Sequence, residues 1–221
     1  MRCRAFHAGR FHARRGTQLP GPRTSRPHRR GFTLVEAMVA ISLTALAGSA
    51  LLLGTTSSMY STQDAVRQTV AYGMAQQLMD EAVGCRYMEA GVDGHQYPLG
   101  PNWSEMIGGT RRYYDDIDDF NGWRNQPPTD LYGVPLGADN GQGGQRNPAF
   151  QCRAGYFKNW RQEVDVYYVS DADLTAPLPA GQTSDYRAVE VRITYNDPVS
   201  GPRQLAKLRR IVTYVAPLQV N

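Results

Sequence analysis

A single acidic residue, Glu36, lies inside the longest apolar segment of the chain. The segment from Phe32 to Leu53 contains 22 residues, and Glu36 is the only charged one among them. Because about 20 helical residues at a rise of 1.5 Å span the hydrocarbon core of a bilayer, this segment is long enough to cross a membrane. A carboxylate at that depth costs a few kcal/mol, so an intramembrane acid is interpreted as functional.

The charges of the chain are divided unevenly between its two ends. Residues 1–31 contain nine Arg and no acid, whereas the rest contains fifteen Lys and Arg against twenty Asp and Glu. This bias predicts a cytoplasmic N-terminus and a C-terminal part on the other side of the membrane. The basic residues lie in a tail rich in Pro and Gly without apolar periodicity, which argues against nucleic-acid binding.

The residues Gly31-Phe32-Thr33-Leu34-Val35-Glu36 resemble the cleavage and methylation site of type IV prepilins and of the pseudopilins of type II secretion. The resemblance implies that residues 1–31 are a leader peptide, which a prepilin peptidase removes by cutting between Gly31 and Phe32. It also implies N-methylation of Phe32. Glu36 would act in assembly, where its carboxylate meets the Phe32 amine of a neighbouring subunit.

The resemblance further implies a structural subunit rather than an enzyme. We expect a minor pilin or a pseudopilin that is anchored in the bacterial inner membrane by one span and is assembled into a type IV pilus or a type II secretion pseudopilus. Its partners would be other pilin or pseudopilin subunits and the inner-membrane assembly platform. Two alternatives remain open: a membrane-tethered module that binds calcium or glycan, and a secreted hydrolase behind a removed signal peptide.

The apolar pattern predicts one helix with two different halves. Residues 32–54 form the membrane-spanning half, and residues 55–90 form an amphipathic half. The apolar seam of the second half recurs at steps of four or seven residues: Met59, Val66, Val70, Met74, Leu78 and Ala82. Gly84 and Gly91 are both possible helix ends, and the turn-rich residues after Gly91 favour the later one.

Residues 91–221 are predicted to form an outward-facing head. Residues 91–160 are rich in Gly and Pro and indicate long loops, whereas residues 161–215 alternate apolar and polar positions with the period of strands. Turn residues at 196–202 predict a hairpin between the last two strands. The predicted fold is therefore α+β, in which a long N-terminal helix packs on a small antiparallel sheet.

The loop-rich region contains four aspartates within five residues, Asp115, Asp116, Asp118 and Asp119. Carboxylate oxygens suit calcium, although the spacing does not match an EF-hand loop. The alternative is a solvated turn that pairs with neighbouring arginines, namely Arg111, Arg112 or Arg124. Calcium is thus a possible ion here, and no other cofactor is predicted.

Cysteine and histidine content gives little support for catalysis. Removal of the leader leaves Cys85 and Cys152, which could form a disulfide in an exported protein, although the sequence does not show that they approach each other. His95 is the one histidine outside the leader, and it is interpreted as a surface loop residue. The chain has no phosphate loop, nucleophile elbow or metalloprotease helix motif.

Overall fold

A computed structural model describes residues 31–137 and 147–216 of the 221-residue chain. One helix, α1 (Leu34–Val83), is followed by strands β1 (Arg124–Asn125), β2 (Trp160–Tyr168), β3 (Tyr186–Asp197) and β4 (Gly201–Thr213). The strands form one antiparallel sheet in the order β1-β2-β3-β4. The predicted α+β fold, a long N-terminal helix with an antiparallel sheet, is confirmed. Apart from Gly31, the predicted leader lies outside the described residues.

The chain divides into two compact units, residues 1–53 and 54–221. In the described part of the first unit, every residue except Gly48 is exposed, including the large apolar side chains. By length and composition, α1 contains a stretch that could cross a membrane, and none of that stretch is buried by the residues that the structure describes. An apolar helix surface without a protein cover is suited to lipid or to other apolar helices.

In the second unit, α1 buries one stripe against the sheet. The buried residues of α1 are Ala71, Met74, Ala75, Leu78, Met79 and Ala82. Their spacing of three and four residues places them on one face of the helix. The predicted seam is therefore confirmed at Met74, Leu78 and Ala82, whereas Met59 and Val66 are exposed.

The helix ends at Val83, so the predicted end at Gly91 and the range 55–90 for its amphipathic half are wrong. A Cβ on Gly84 would lie 2.9 Å from the carbonyl oxygen of Asp80, which explains why glycine occupies the position directly after the helix. The chain then leaves the helix axis, because Arg86 accepts a backbone hydrogen bond from Ile117 at 2.9 Å. This bond pairs the end of the helix with the acidic loop.

The sheet follows the predicted alternation most closely in β2. Its even-numbered residues from Trp160 to Tyr168 are buried, and the odd-numbered ones are partly exposed. The predicted hairpin is also present, with β3 and β4 joined across Asp197 and Gly201. Val164 and Val189 belong to one core cluster with the buried stripe of α1.

The last strand, β4, differs from the predicted alternation over residues 161–215. It ends at Thr213, and Val215 is 81% exposed. Ala206 and Leu208 pair with the buried Ile193 and Val191, so the even-numbered positions contribute to the core. The strand begins at Gly201, because residues 201–206 extend the hairpin.

Candidate functional site

The first candidate site is the N-terminal motif, where the helix begins two residues after Phe32. Thr33 lies directly before α1, and its hydroxyl oxygen accepts a hydrogen bond from the backbone N–H of Glu36 at 3.2 Å. The carbonyl of Thr33 accepts from the N–H of Ala37 at 3.1 Å. Thr33 is therefore the N-cap of α1, and it satisfies one of the donors that a helix start leaves unpaired.

This cap places Glu36 in the first turn of the helix. Thr33 and Glu36 have the spacing of a capping box. This spacing is visible in the sequence and could have located the start of the helix. The positive end of the helix dipole favours a carboxylate in this turn. Phe32 is 78% exposed, and Glu36 is also exposed. The structure thus brings the predicted residues Gly31, Phe32 and Glu36 to one uncovered helix end.

The second candidate site is the acidic loop, whose aspartates organise its backbone. Asp116 is 1% exposed, and its Oδ1 accepts from the N–H groups of Asp118 at 2.9 Å and Asp119 at 3.3 Å. Asp119 is 2% exposed, and its Oδ2 accepts from the N–H groups of Asp115 at 2.9 Å and Asp116 at 3.2 Å. The loop is therefore a built element of the head rather than a solvated turn.

The charge of Asp118 is balanced from the sheet. Arg187 of β3 is fully buried, and its Nη1 lies 3.0 Å from Oδ1 of Asp118, which is itself buried. The same guanidinium donates to the carbonyls of Tyr87 and Gly94 and to the hydroxyl of Tyr168. Arg187 therefore joins β3, the segment after α1 and the acidic loop in one buried network.

The arginine partners that the sequence suggested for the acidic loop are wrong. Arg111 instead binds Glu81 of α1, with Nε 2.7 Å from Oε1, and stacks on Trp123. Arg112 stacks on the ring of Tyr113. Arg124 binds Glu163 and Asp165 on the outer face of the sheet. The arginines that bind the loop are Arg86, which pairs with Asp115, and Arg187. Both lie far from the loop in sequence.

Several carboxylates converge on a cavity of about 310 Å³ beside this loop. Oxygens of Glu105, Asp115 and Asp119 all lie within 4.8 Å of one another, and so do oxygens of Glu89, Asp115 and Asp116. Such groups could hold a hard cation in chemical terms, because oxygen ligands suit calcium. The structure does not test calcium binding, which stays a prediction for Asp115, Asp116, Asp118 and Asp119.

Burial and mutual repulsion raise the pKa of three carboxyl groups at this cavity, those of Asp116, Glu105 and Asp119. Burial, together with the neighbouring Asp118, raises the pKa of Asp116 to about 8. Burial is also the largest cause that raises the pKa of Glu105 to about 7, with Asp119 adding to it. Burial is likewise the largest cause that raises the pKa of Asp119. The cavity therefore favours either protons or another cation among its carboxyl groups.

The two cysteines of the predicted mature chain are free, so the structure contains no disulfide between them. Cys85 lies just after α1 and donates to the carbonyl of Glu81, and burial raises its pKa to about 11. Cys152 is exposed and packs beside Gly137. The two thiols occupy different surroundings, which the sequence alone did not separate.

A family model described as the prokaryotic N-terminal methylation motif matches residues 26–52. No curated protein and no solved structure matches the chain significantly. The match covers the motif and most of the apolar half of α1, and it does not extend to the head.

The N-terminal segment therefore carries the motif that is the hallmark of type IV pilin and pseudopilin precursors. Together with the long apolar helix, the motif supports a pilin-like or pseudopilin subunit that is anchored in a membrane and processed by a prepilin peptidase. It points to a structural role, which is usually not enzymatic.

Proposed function

We propose that the chain is a minor pilin or a pseudopilin of a type IV pilus or a type II secretion system. The bacterial inner membrane holds it by residues 32–53, with the head on the extracytoplasmic side. Prepilin peptidase cuts between Gly31 and Phe32, and the assembly platform adds the subunit to a filament of other pilins or pseudopilins. The observation that carries this proposal is the methylation motif at the start of an apolar helical stretch, none of which is buried among the described residues.

Glu36 supplies the physical reason for assembly in this proposal. Cleavage creates a cationic amine on Phe32, and both this amine and the Glu36 carboxylate lie in a region of low dielectric, where an unpaired charge is costly. Pairing Glu36 with the Phe32 amine of a neighbouring subunit removes that cost only inside the filament. The contact therefore links departure from the membrane to docking and fixes the axial register of the subunit.

The head supports the assignment to a minor pilin or a pseudopilin rather than to a major subunit. Between α1 and β2, residues 84–137 and 147–159 form long loops with only short 3-10 helices and the two-residue strand β1. Within them the acidic loop is buried and organised by its own hydrogen bonds. An elaborate loop region on a small sheet is a feature through which one filament component can differ from its siblings.

Intact mass and N-terminal sequencing of the membrane fraction test the processing step. Cells with prepilin peptidase should contain a chain that begins at methylated Phe32, and cells without it should contain the uncut chain. A Gly31→Val variant provides the matched control, because it alters the cleavage site and leaves the apolar helix intact. A chain that begins downstream of Val35 would contradict the proposal.

Glu36→Gln separates assembly from folding. The variant keeps the size of the side chain and removes its charge, so we expect cleavage before Phe32 and a normally folded head but loss of incorporation into filaments. Filament content can be measured in sheared surface or membrane fractions by immunoblotting. The control is Ser42→Ala, a change in the same exposed half of α1 that leaves Glu36 in place. Normal incorporation of Glu36→Gln would instead favour a tethered module that does not polymerise.

A further inference from the structure

A short turn of the head, Asn102–Ile107, holds apolar side chains in solvent. The side chain of Asn102 accepts from the N–H of Ser104 at 3.0 Å, and Glu105 accepts from the N–H of Asn102 at 2.8 Å. The carbonyl of Asn102 accepts from the N–H groups of Glu105 and Met106. These reciprocal bonds have the form of a capping box, so the turn is fixed before any partner binds.

The turn has two distinct sides. Glu105 is 7% exposed and lines the acidic cavity, whereas Trp103 is 80% exposed and Met106 and Ile107 are each about half exposed. Residues three and four apart in a helical turn lie on one face, so Trp103, Met106 and Ile107 form one apolar knob. Exposed Trp and Met on a rigid element are typical of the centre of a protein interface.

The head also contains an apolar pocket of about 240 Å³. Its walls include Pro127, Pro135, Leu136, Cys152, Tyr156 and Phe157. Cavities that hold drug-sized molecules measure about 300–1,000 Å³, so this pocket is better suited to one large side chain than to a small-molecule ligand. The apolar and aromatic walls of the pocket can therefore accommodate an aromatic side chain.

The charges next to the knob and the pocket are opposite in sign. Glu89 lies beside the turn, where its carboxylate accepts from the side chain of Asn102 at 3.4 Å. Arg153 and Lys158 are exposed at the pocket. None of these three has an ion-pair partner within residues 31–137 and 147–216. Complementary charges around an apolar contact favour one orientation and one partner.

We propose that the Asn102–Ile107 knob of one copy inserts Trp103 into the Pro127, Leu136 and Phe157 pocket of a second copy. This inference rests on the proposed function as a filament subunit, and it names a contact between the head domains of two neighbouring copies. The knob and the pocket are different surfaces, so the contact is heterologous, and a contact of this kind repeats along an open assembly when it does not close into a ring.

The native thiol of Cys152 allows a direct test, because it lines the pocket. In a Cys85→Ser background, Met106→Cys places a thiol on the knob and leaves Trp103 intact. A short bifunctional thiol reagent applied to membranes of cells that express the full chain and prepilin peptidase should yield covalent dimers and larger multimers. The cross-linked fraction should exceed that of the control Val199→Cys, a fully exposed site elsewhere on the head, by at least about tenfold.

Two further variants identify the contact. Trp103→Ala added to Met106→Cys should lower the cross-linked fraction at least about tenfold, since truncation of an aromatic interface anchor is among the most costly changes. Cys152→Ser should abolish the cross-link. Because Trp103 is 80% exposed, Trp103→Ala should leave the unfolding midpoint of the head unchanged, which excludes a loss through misfolding.

The outcomes separate this inference from the proposed function. Mass analysis of the same samples reports cleavage before Phe32 independently of cross-linking. A chain cleaved before Phe32 that gives no cross-link above the Val199→Cys control overturns the contact and leaves the proposed function standing. Loss of filaments in Trp103→Ala without any cross-link to Cys152 would assign the knob to a different protein and would also overturn the second copy as its partner.

Discussion

The two halves of α1 differ in what covers their apolar residues. Before Gly54, Leu46 and Leu51 are about two-thirds or more exposed, whereas Leu78 and Met79 in the second half are almost completely buried. Full burial of such a side chain contributes about 1.5–3 kcal/mol. The second half therefore gains its stability from the head, and the first half needs lipid or other helices. Folding of the head and the proposed assembly thus depend on different parts of one helix.

The largest effect is expected from a variant that destabilises the head and leaves the N-terminal half of α1 unchanged. Arg187→Ala removes the buried partner of Asp118, and breaking a buried ion pair costs about 3–5 kcal/mol. We expect this loss in the free energy of unfolding of the full-length protein in detergent, measured by urea titration and Trp fluorescence. Cleavage before Phe32 should be unaffected.

The matched control for Arg187→Ala is Arg203→Ala, whose partner Asp64 is about as exposed as Arg203 itself. An exposed pair of this kind contributes about 0–1 kcal/mol. Equal losses for the two variants would contradict the role assigned to the Arg187 network.

Leucine truncation compares the two halves of the helix directly. Leu78→Ala should lower the stability of the head by about 2–5 kcal/mol, because it leaves a cavity in the core. Leu46→Ala makes the same chemical change at a position that is 66% exposed, and it should leave the unfolding midpoint of the head unchanged. Any effect of Leu46→Ala should be confined to membrane insertion or filament content. A similar loss of head stability in both variants would show that the two halves are not independent.

The acidic cavity predicts that the head loses stability as the pH rises. The pKa values of Asp116 and Glu105 are raised from 3.8 and 4.5 to about 8 and about 7, so the folded head retains protons that the unfolded chain releases. Their contribution is complete below the ordinary values and is lost as the pH rises through the raised ones. Between about pH 5 and pH 8.5 the loss should exceed about 1.4 kcal/mol, the equivalent of one pKa unit.

The double variant Asp116→Asn and Glu105→Gln serves as the control for the pH profile. It should flatten the dependence of the unfolding midpoint on pH and leave the smaller contribution of His95, whose pKa is raised by its hydrogen bond to Asp185. A profile with the same slope in the double variant would show that other groups cause it.

Calcium addition should have the smallest effect. At about pH 8, about 1 mM calcium should stabilise the head by about 1 kcal/mol relative to the same protein in chelator, given the affinity of extracellular calcium modules. The measurement is the shift of the thermal midpoint, and Asp119→Asn should remove it. The absence of a shift in the unaltered protein would contradict the calcium prediction, and the cavity would then hold its protons instead.

The sequence predicted those features that depend on short-range patterns. The alternation predicted within residues 161–215 is present along β2, where Val164 and Val166 are buried, because a strand places successive side chains on opposite faces. The turn residues at 196–202 located the hairpin. The motif around Gly31, Phe32 and Glu36 could be recognised because it is local and specific, although the cap provided by Thr33 was missed.

The features that were missed depend on contacts between distant parts of the chain. Arg187 is 69 residues from Asp118, and no local pattern pairs them. The end of α1 at Val83 depends on the pairing of Arg86 with the acidic loop, whereas the turn signal at Gly91 was stronger in the sequence. The two-residue strand β1 is too short to show any alternation. Tertiary contacts therefore determine the partner of Asp118, the end of α1 and the position of β1.

The cap at Thr33 has a consequence for proteolysis. Because the helix begins at Leu34, the peptide bond between Gly31 and Phe32 lies in non-helical chain, where a protease can bind it without unwinding a turn. Thr33 also stays on the product side of that bond. In the proposed cleavage the helix would therefore keep its own N-cap at the new terminus, and the Phe32 amine would stand one residue before that cap.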